Sequence, residues 1–402
     1  MMLSSFAVPY IDASVPVLRE HGVAITRHFY DAMFRAHPEL KNLFNLGNQA
    51  NGAQQQSLAA AVFAYAANHR NPGVLTPVVE RIVHKHVSVG IRAEHYPIVG
   101  RHLLDAIQQV LGEAAAPPLL AAWDEAYWVL AKTLIEAEKR LYGQLGTEPG
   151  ALRALVVSEL RDESEDVRSF YLRDEAGGSP GAFLPGQYVS VAVTQDGLRQ
   201  LRQYSLSDAP EQPWWRISVK REAGHDDVPA GRVSNWLHAN LKVGDRLEVG
   251  PACGDFAPAL QDATPIALLS AGVGITPMVA VLNALALRNP QRPTLFAHAA
   301  RHGRQHALRD AVAAAREHMP ALRRLSFYEA PTAEDRPAED YTHVGRMDVA
   351  VVLDRIGVDA EFYLCGPIGF MQAQWQGLVA SGVRATRIHR EVFGPELLDH
   401  LL

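Results

Sequence analysis

One histidine in the amino-terminal third stands where an oily side chain is expected. Val79, Ile82, Val83 and His86 recur at spacings of three and four, so His86 points where the apolar side chains of its helix point, while His84 and Lys85 point elsewhere. An imidazole on such a face is either a hydrogen-bonded core residue or an axial ligand of haem iron, because neutral imidazole is a good ligand and the macrocycle needs an apolar slot. Glu138 is the second anomaly. It continues the stripe of Trp123, Tyr127, Leu130 and Leu134, and Leu141 follows it. A carboxylate there costs several kcal/mol unless it is hydrogen-bonded or paired; the plainer alternative is a helix-end glutamate reaching water. Tyr96 lies just past the turn after His86 and can reach both.

Two further groups carry different chemistry. Arg202-Gln203-Tyr204-Ser205 reads as strand, which puts Arg202 and Tyr204 on one face. A ring beside a guanidinium suits a flavin, the one stacking on the isoalloxazine and the other binding phosphate bidentately. Gly186-Gln187-Tyr188 lies upstream, and Gly231-Arg232-Val233-Ser234 opens a helix whose first amides can bind a pyrophosphate. An unliganded barrel is the alternative. Later, an apolar strand runs into Ala271-Gly272-Val273-Gly274-Ile275-Thr276-Pro277. Strand, glycine turn and helix start are the parts of a dinucleotide site, although Pro277 departs from the last glycine of G-x-G-x-x-G. Cys365-Gly366-Pro367 follows another strand at the end where nicotinamide would lie. Cys365 there either neighbours the hydride path or is a buried structural thiol.

The elements that must position these residues change along the chain. Up to Tyr142 the pattern is helical: Ile25, Phe29 and Met33 closed by Pro38, then Leu58, Val62 and Tyr65, then a helix with Thr76 as N-cap, Pro77 at its first position and Gly90 as stop. Residues 143–150, with three glycines and a proline, read as a linker. Short β-branched runs at 187–193, 203–206, 216–220 and 246–249 predict a β-barrel over 151–258. From 264 onward, apolar strands at 266–270, 294–298, 324–328 and 361–365 alternate with Ala-rich helices, which predicts a parallel sheet. A length of 402 residues fits two or three domains.

Composition narrows the function. The chain is 48% hydrophobic and 20% charged, so it can bury a core. With 38 Lys and Arg against 44 Asp and Glu, it has no electrostatic reason to bind nucleic acid or an anionic membrane. Two cysteines, Cys253 and Cys365, cannot build a disulfide framework, a zinc cluster or a four-thiolate iron–sulfur cluster. That count suits a reducing cytosol. No basic run leads into an apolar stretch at the start, so a cytoplasmic protein is expected.

Taken together, these residues resemble the flavohaemoglobins, which join a globin to a flavin reductase, over essentially the whole chain. The carrying motifs in the first third are His28-Phe29-Tyr30-Asp31, Leu43-Phe44-Asn45, Gln54 with Leu58, Lys85-His86 and Glu94-His95-Tyr96-Pro97-Ile98-Val99-Gly100. The flavin set is similar to ferredoxin-reductase-type domains, and Glu391-Val392-Phe393-Gly394-Pro395 resembles the family's terminal segment. The resemblance implies an all-α globin domain over 1–145, an antiparallel β-barrel FAD domain over 151–258 and an α/β parallel-sheet NAD(P) domain over 259–402. It makes His86 the proximal ligand of one haem b, packs Phe44 on the porphyrin and puts Tyr30, Gln54 and Leu58 in the distal pocket. Tyr30, Tyr96 and Glu138 become catalytic, the last two as the pair around His86.

The same resemblance assigns one FAD to Tyr188, Arg202, Gln203, Tyr204, Ser205, Gly231, Val233, Ser234, Val392, Phe393, Gly394 and Pro395, with the Phe covering the flavin. NADH or NADPH falls to Gly272, Val273, Gly274, Ile275, Thr276 and Pro277 with Cys365, Gly366 and Pro367, while Lys85 and Glu391 tune the haem and flavin potentials. Arg301 and Arg304 either serve a 2′-phosphate or are solvated surface arginines, and the family favours NADH. Many members have Cys where this chain has Val392, and the Trp-bearing stretch common before the flavin domain is missing around 150–156. The implied activity is nitric oxide dioxygenase, with NAD(P)H reducing FAD, FAD reducing haem iron, and oxygen in the Tyr30/Gln54 pocket converting nitric oxide to nitrate. The implied partners are O2, NO and NAD(P)H, with room for a lipid in the distal pocket, and the chain is expected to be a monomer. The rivals are an oxygen carrier or sensor with its own haem reductase, and an alkyl or lipid hydroperoxide reductase.

Overall fold

The three-and-four spacing of the first third becomes the helices Ala7–Ala36, Ala53–Asn68, Thr76–Val89, His95–Leu111 and Pro117–Leu145. The computed structural model describes residues 3–44, 49, 52–195, 197–224 and 229–394. Ile25, Phe29 and Met33 pack against Leu103, Ile107 and Trp123 in one core. Pro38 ends the first helix and opens a 3-10 turn, Pro38–Leu43.

Two helix ends differ from expectation. Thr76 does not cap its helix: Leu75 holds the N-cap position, and no side chain bonds the free amides. The 3-10 turn Pro72–Leu75 runs straight into the helix, so the chain arrives already wound. Pro77 still falls in the first turn, where its missing N–H costs nothing, and Gly90 ends the helix at φ +83°. The expected linker also begins later. Gly143 stays helical, and the last helix continues to Leu145 before Gly146 ends it at φ +60°.

The middle of the chain forms β1 (Arg153–Asp162), β2 (Val167–Arg173), β3 (Tyr188–Gln195), β4 (Leu198–Ser205), β5 (Trp215–Lys220) and β6 (Arg246–Val249). They make one sheet in the order β4-β3-β6-β1-β2-β5, and β1 pairs antiparallel with both β2 and β6. An isolated antiparallel bridge between Leu206 and Ile217 ties the chain just after β4 to β5, curling the sheet back toward closure. Neither β1 nor β2 is among the strands expected from sequence.

The last part is a second six-stranded sheet. Its strands are β7 (Ile266–Ala271), β8 (Thr294–Ala300), β9 (Leu322–Tyr328), β10 (His343–Val344), β11 (Glu361–Cys365) and β12 (Ile388–Glu391), in the order β10-β9-β8-β7-β11-β12. Its pairings are parallel. Ile266 and Leu268 face one core with Met278 and Leu282, and Ala267 and Leu269 face another with Met371 and Leu378. Alternate side chains of a strand go to opposite faces, so β7 is covered on both, as parallel sheets require.

The described chain divides into two compact units. One holds the residues up to Leu152 with Ala192–Arg202 and Gly394; the other holds Arg153–Val191 with Gln203–Phe393. No helix among the described residues is long and apolar enough to cross a membrane.

Candidate functional site

The helix Thr76–Val89 presents His86 to the helix Pro117–Leu145. The imidazole Nδ1 meets Glu138 Oε1 at 2.7 Å and the Tyr96 hydroxyl at 3.2 Å, and Tyr96 donates to the same Oε1 at 2.5 Å. Glu138 is almost wholly buried, its side chain 4% exposed, while the imidazole is 33% exposed. The carboxylate therefore meets its burial requirement through these two partners. With Nδ1 taken up by Glu138 and Tyr96, Nε2 is the nitrogen left for a metal. One imidazole, oriented by a carboxylate behind it, is the donor set that haem iron takes from a globin-like helix. The residues fit the group.

Elsewhere in this helical region Tyr30 is buried beside Phe29, Phe34 and Phe44, with ring centroids 4.8, 5.7 and 5.7 Å away. Gln54 Nε2 donates to its hydroxyl at 3.4 Å. Burial pushes the Tyr30 phenol up to about 12, with the Gln54 amide working against the rise, so the group is a protonated donor at neutral pH. Phe44 and Leu58 pack at the edge of the same core. All four expected distal residues are thus brought together. Lys85 turns away from them, its Nζ donating to the Gly394 carbonyl at 2.8 Å.

The flavin candidates lie on β3, β4 and the helix Arg232–Asn240. Arg202 and Tyr204 are two residues apart on β4 and share a face. Ser205 Oγ is buried with no partner among the described residues, a hydroxyl left to bond a bound group or water. Gly231 is the N-cap of the helix, and a Cβ there would meet Ser234 Oγ at 2.7 Å and Glu222 Cβ at 2.9 Å. Tyr188, Val233 and Ser234 are buried and Gln203 is exposed. These positions fit a flavin nucleotide. Val392 packs on the sheet core and Phe393 is 46% exposed; Pro395 lies outside the described residues.

The dinucleotide candidates converge at one end of the parallel sheet. Strand order reverses between β7 and β11, and ligands of such sheets bind in the crevice outside the strand ends at that switch point. Gly272 takes φ +53° in the 3-10 turn Gly272–Gly274, and Ile275, Thr276 and Pro277 begin the helix behind it. A Cβ on Gly274 would sit 2.3 Å from the Cys365 carbonyl oxygen and 2.7 Å from the Gly366 nitrogen. Pro367 then caps the helix Ile368–Ala380. The two expected segments therefore form one cradle, packed backbone against backbone where Gly274 meets Cys365 and Gly366, and it fits a nicotinamide dinucleotide. Burial, with the Glu391 carboxylate nearby, holds the Cys365 thiol well above its ordinary range, so it is no ready nucleophile.

Known proteins match along the same divisions. Residues 27–134 match the Globin family, 154–257 the Oxidoreductase FAD-binding domain and 268–376 the Oxidoreductase NAD-binding domain. A flavohemoprotein of Bordetella parapertussis is 50% identical over 400 residues, covering 98% of this chain and 99% of that protein. The chain belongs to the flavohemoprotein family. A flavohemoprotein of Rhizobium meliloti is 46% identical over 402 residues, covering 98% and 99%. The crystal structure of Malassezia yamatoensis flavohemoglobin with bound FAD and heme superposes with a TM-score of 0.86 at 29% identity, covering 98% of this chain and 100% of that one. The flavohem-like FAD/NAD binding domain of nitric oxide dioxygenase from Vibrio cholerae is 40% identical, with a TM-score of 0.54, covering 60% of this chain and 99% of that one. This flavohemoprotein is an oxidoreductase with haem, FAD and nicotinamide dinucleotide as its cofactors.

Some members of the site escape sequence reasoning. Tyr142 stands one turn after Glu138 and donates to the Ile91 carbonyl at 2.9 Å, tying down the chain just past the His86 helix. Its spacing of four from Glu138 was the available signal. Glu391 lies beside Cys365 through the parallel register of β12 on β11. No local pattern reveals that neighbour, because the helix Ile368–Ala380 separates the two strands.

Proposed function

We propose that this flavohemoprotein is a nitric oxide dioxygenase, converting nitric oxide and oxygen to nitrate at the expense of NADH or NADPH. The same reading sets its domains at 1–145, 151–258 and 259–402. The observation that carries it is that the chain holds both a buried carboxylate bonded to His86 and a buried phenol donor at Tyr30. When bound, haem supplies a redox-active iron, and FAD with the nicotinamide supplies its electrons one at a time. Glu138 draws on the His86 Nδ1 proton and makes the imidazole a stronger donor, which favours reductive activation of oxygen over storage. Gln54 donates to the Tyr30 oxygen and leaves the Tyr30 proton free to point into the pocket. A donor held there by three aromatic neighbours stabilises negative charge without reorganising. Phe44 and Leu58 keep water from the same space. Arg202, Tyr204 and Ser205 hold the flavin, and the Gly274–Gly366 cradle holds the dinucleotide.

Each nitrate takes one electron, so air-saturated protein given nitric oxide is expected to yield two nitrates per nicotinamide oxidised. Negligible nitrate with intact oxygen binding would point to a carrier or sensor instead, and faster turnover on hydroperoxides than on nitric oxide would point to a peroxide reductase. Tyr30→Phe tests the distal donor. Losing one charge-assisted bond of about 1.5–3 kcal/mol should raise the oxygen off-rate roughly ten- to a hundredfold, while NADH reduces the flavin at the unaltered rate. Stopped-flow measurement of both rates decides it; an unchanged off-rate would remove Tyr30 from the role.

A further inference from the structure

The helix His95–Leu111 contains a single glycine, Gly100, and a glycine inside a helix costs about 1 kcal/mol relative to alanine. The space it leaves is occupied. A Cβ on Gly100 would sit 2.6 Å from Cε1 and 2.9 Å from Cδ1 of Tyr127. The Tyr127 ring thus lies directly against the backbone of that helix, and its hydroxyl donates to the Tyr96 carbonyl at 2.5 Å. Tyr96 and Gly100 are one helical turn apart, so the ring and the hydroxyl of Tyr127 both bear on the turn that carries Tyr96. Burial holds the phenol above its ordinary range, and it stays a donor.

Tyr127 and Glu138 are eleven residues apart, three helical turns, and share a face of the helix Pro117–Leu145. One helix therefore supplies the carboxylate that meets His86 and the phenol that fixes the residue bonding that carboxylate. The close ring contact accounts for the glycine, but packing alone does not need the hydroxyl, since Phe would fill the same space. We propose that Tyr127 is a positioning residue for the proximal ligand: it holds the first turn of the Tyr96 helix in place, so that the Tyr96 hydroxyl anchors Glu138 and Glu138 stays aligned on His86 Nδ1. The effect on iron is indirect, through Tyr96 and Glu138. The inference rests on His86 being the axial ligand.

Tyr127→Phe in the full-length holoprotein keeps the ring and removes only the hydroxyl. With Tyr96 released, the Glu138 to His86 bond lengthens and the imidazole becomes a weaker donor. The iron–histidine stretching band of the ferrous protein is then expected at lower frequency and the haem midpoint potential at a more positive value. Nitric oxide consumption should fall by roughly tenfold, the low end for a group outside the ligand itself, with flavin reduction unaltered. Gly100→Ala keeps the hydroxyl but pushes the ring off the turn, and should move the band in the same direction. A band and potential unmoved in either folded variant overturn the proposal, whatever happens to activity. Failure of both variants to fold would make Tyr127 a core residue and overturn it equally. Wild-type protein lacking any iron–histidine band would instead remove His86 as ligand, a separate failure.

Discussion

His86→Ala is expected to purify with its FAD and without haem, and to stay without a Soret band after reconstitution with hemin. Among the described residues, the His86 imidazole has its Nδ1 fixed by a buried carboxylate and a phenol while its other nitrogen is left for a ligand. Its removal has a second cost. Glu138 keeps only the Tyr96 hydroxyl as a partner among the contacts described, and a buried acceptor that loses a partner costs about 1–3 kcal/mol. Haem-to-flavin ratio, from a pyridine haemochrome assay beside flavin absorbance, checks the first effect, and a thermal melt checks the second. A normal ratio in the variant would mean that another histidine holds the iron.

The direction of the His86 side chain was legible from spacing alone, which left a core histidine and a haem ligand both open; the ligand role came with the resemblance. A period near 3.6 fixes which side chains share a face, so Val79, Ile82, Val83 and His86 declared their common direction, as did Leu134 and Glu138. What period does not fix is how closely two backbones approach. Tyr127 reads as one more member of an apolar stripe, and only the missing Cβ of Gly100 against its ring gives it a different role.

The strands lost from the sequence reading failed for identifiable reasons. In β1 only Leu155 and Val157 are buried among charged neighbours, and a register shift between Val157 and Glu159 breaks the alternation on which strand recognition depends. In β2 the residues from Ser169 to Leu172 are buried without alternation, and a short apolar run is ambiguous between helix and strand. The Thr76 cap was misread because Thr-Pro also occurs where a 3-10 turn already supplies the winding. The glycines at 272 and 274 were legible because a strand precedes them and a helix follows, whereas the meeting of Gly274 with Cys365 depends on β7 and β11 being neighbours.

Glu138→Gln is expected to slow nitric oxide consumption by roughly ten- to a hundredfold, the range for losing a group that orients a metal ligand, and to melt no lower than the parent. The two outcomes follow from one fact. The carboxylate is buried, and burying a charge is costly even when it is paired, whereas a neutral amide of the same shape is cheaper to bury and can still accept from Tyr96. What the amide cannot do is pull on the His86 Nδ1 proton as an anion does, so the imidazole becomes a weaker donor to iron. Haem should therefore remain bound, since Nε2 and the apolar slot are intact, while the iron–histidine band moves to lower frequency. Retained stability with lost turnover is the mark of a residue kept for chemistry at the expense of the fold. The opposite pattern, a melt several degrees lower with turnover at the parent rate, would make Glu138 a structural partner that happens to touch the histidine.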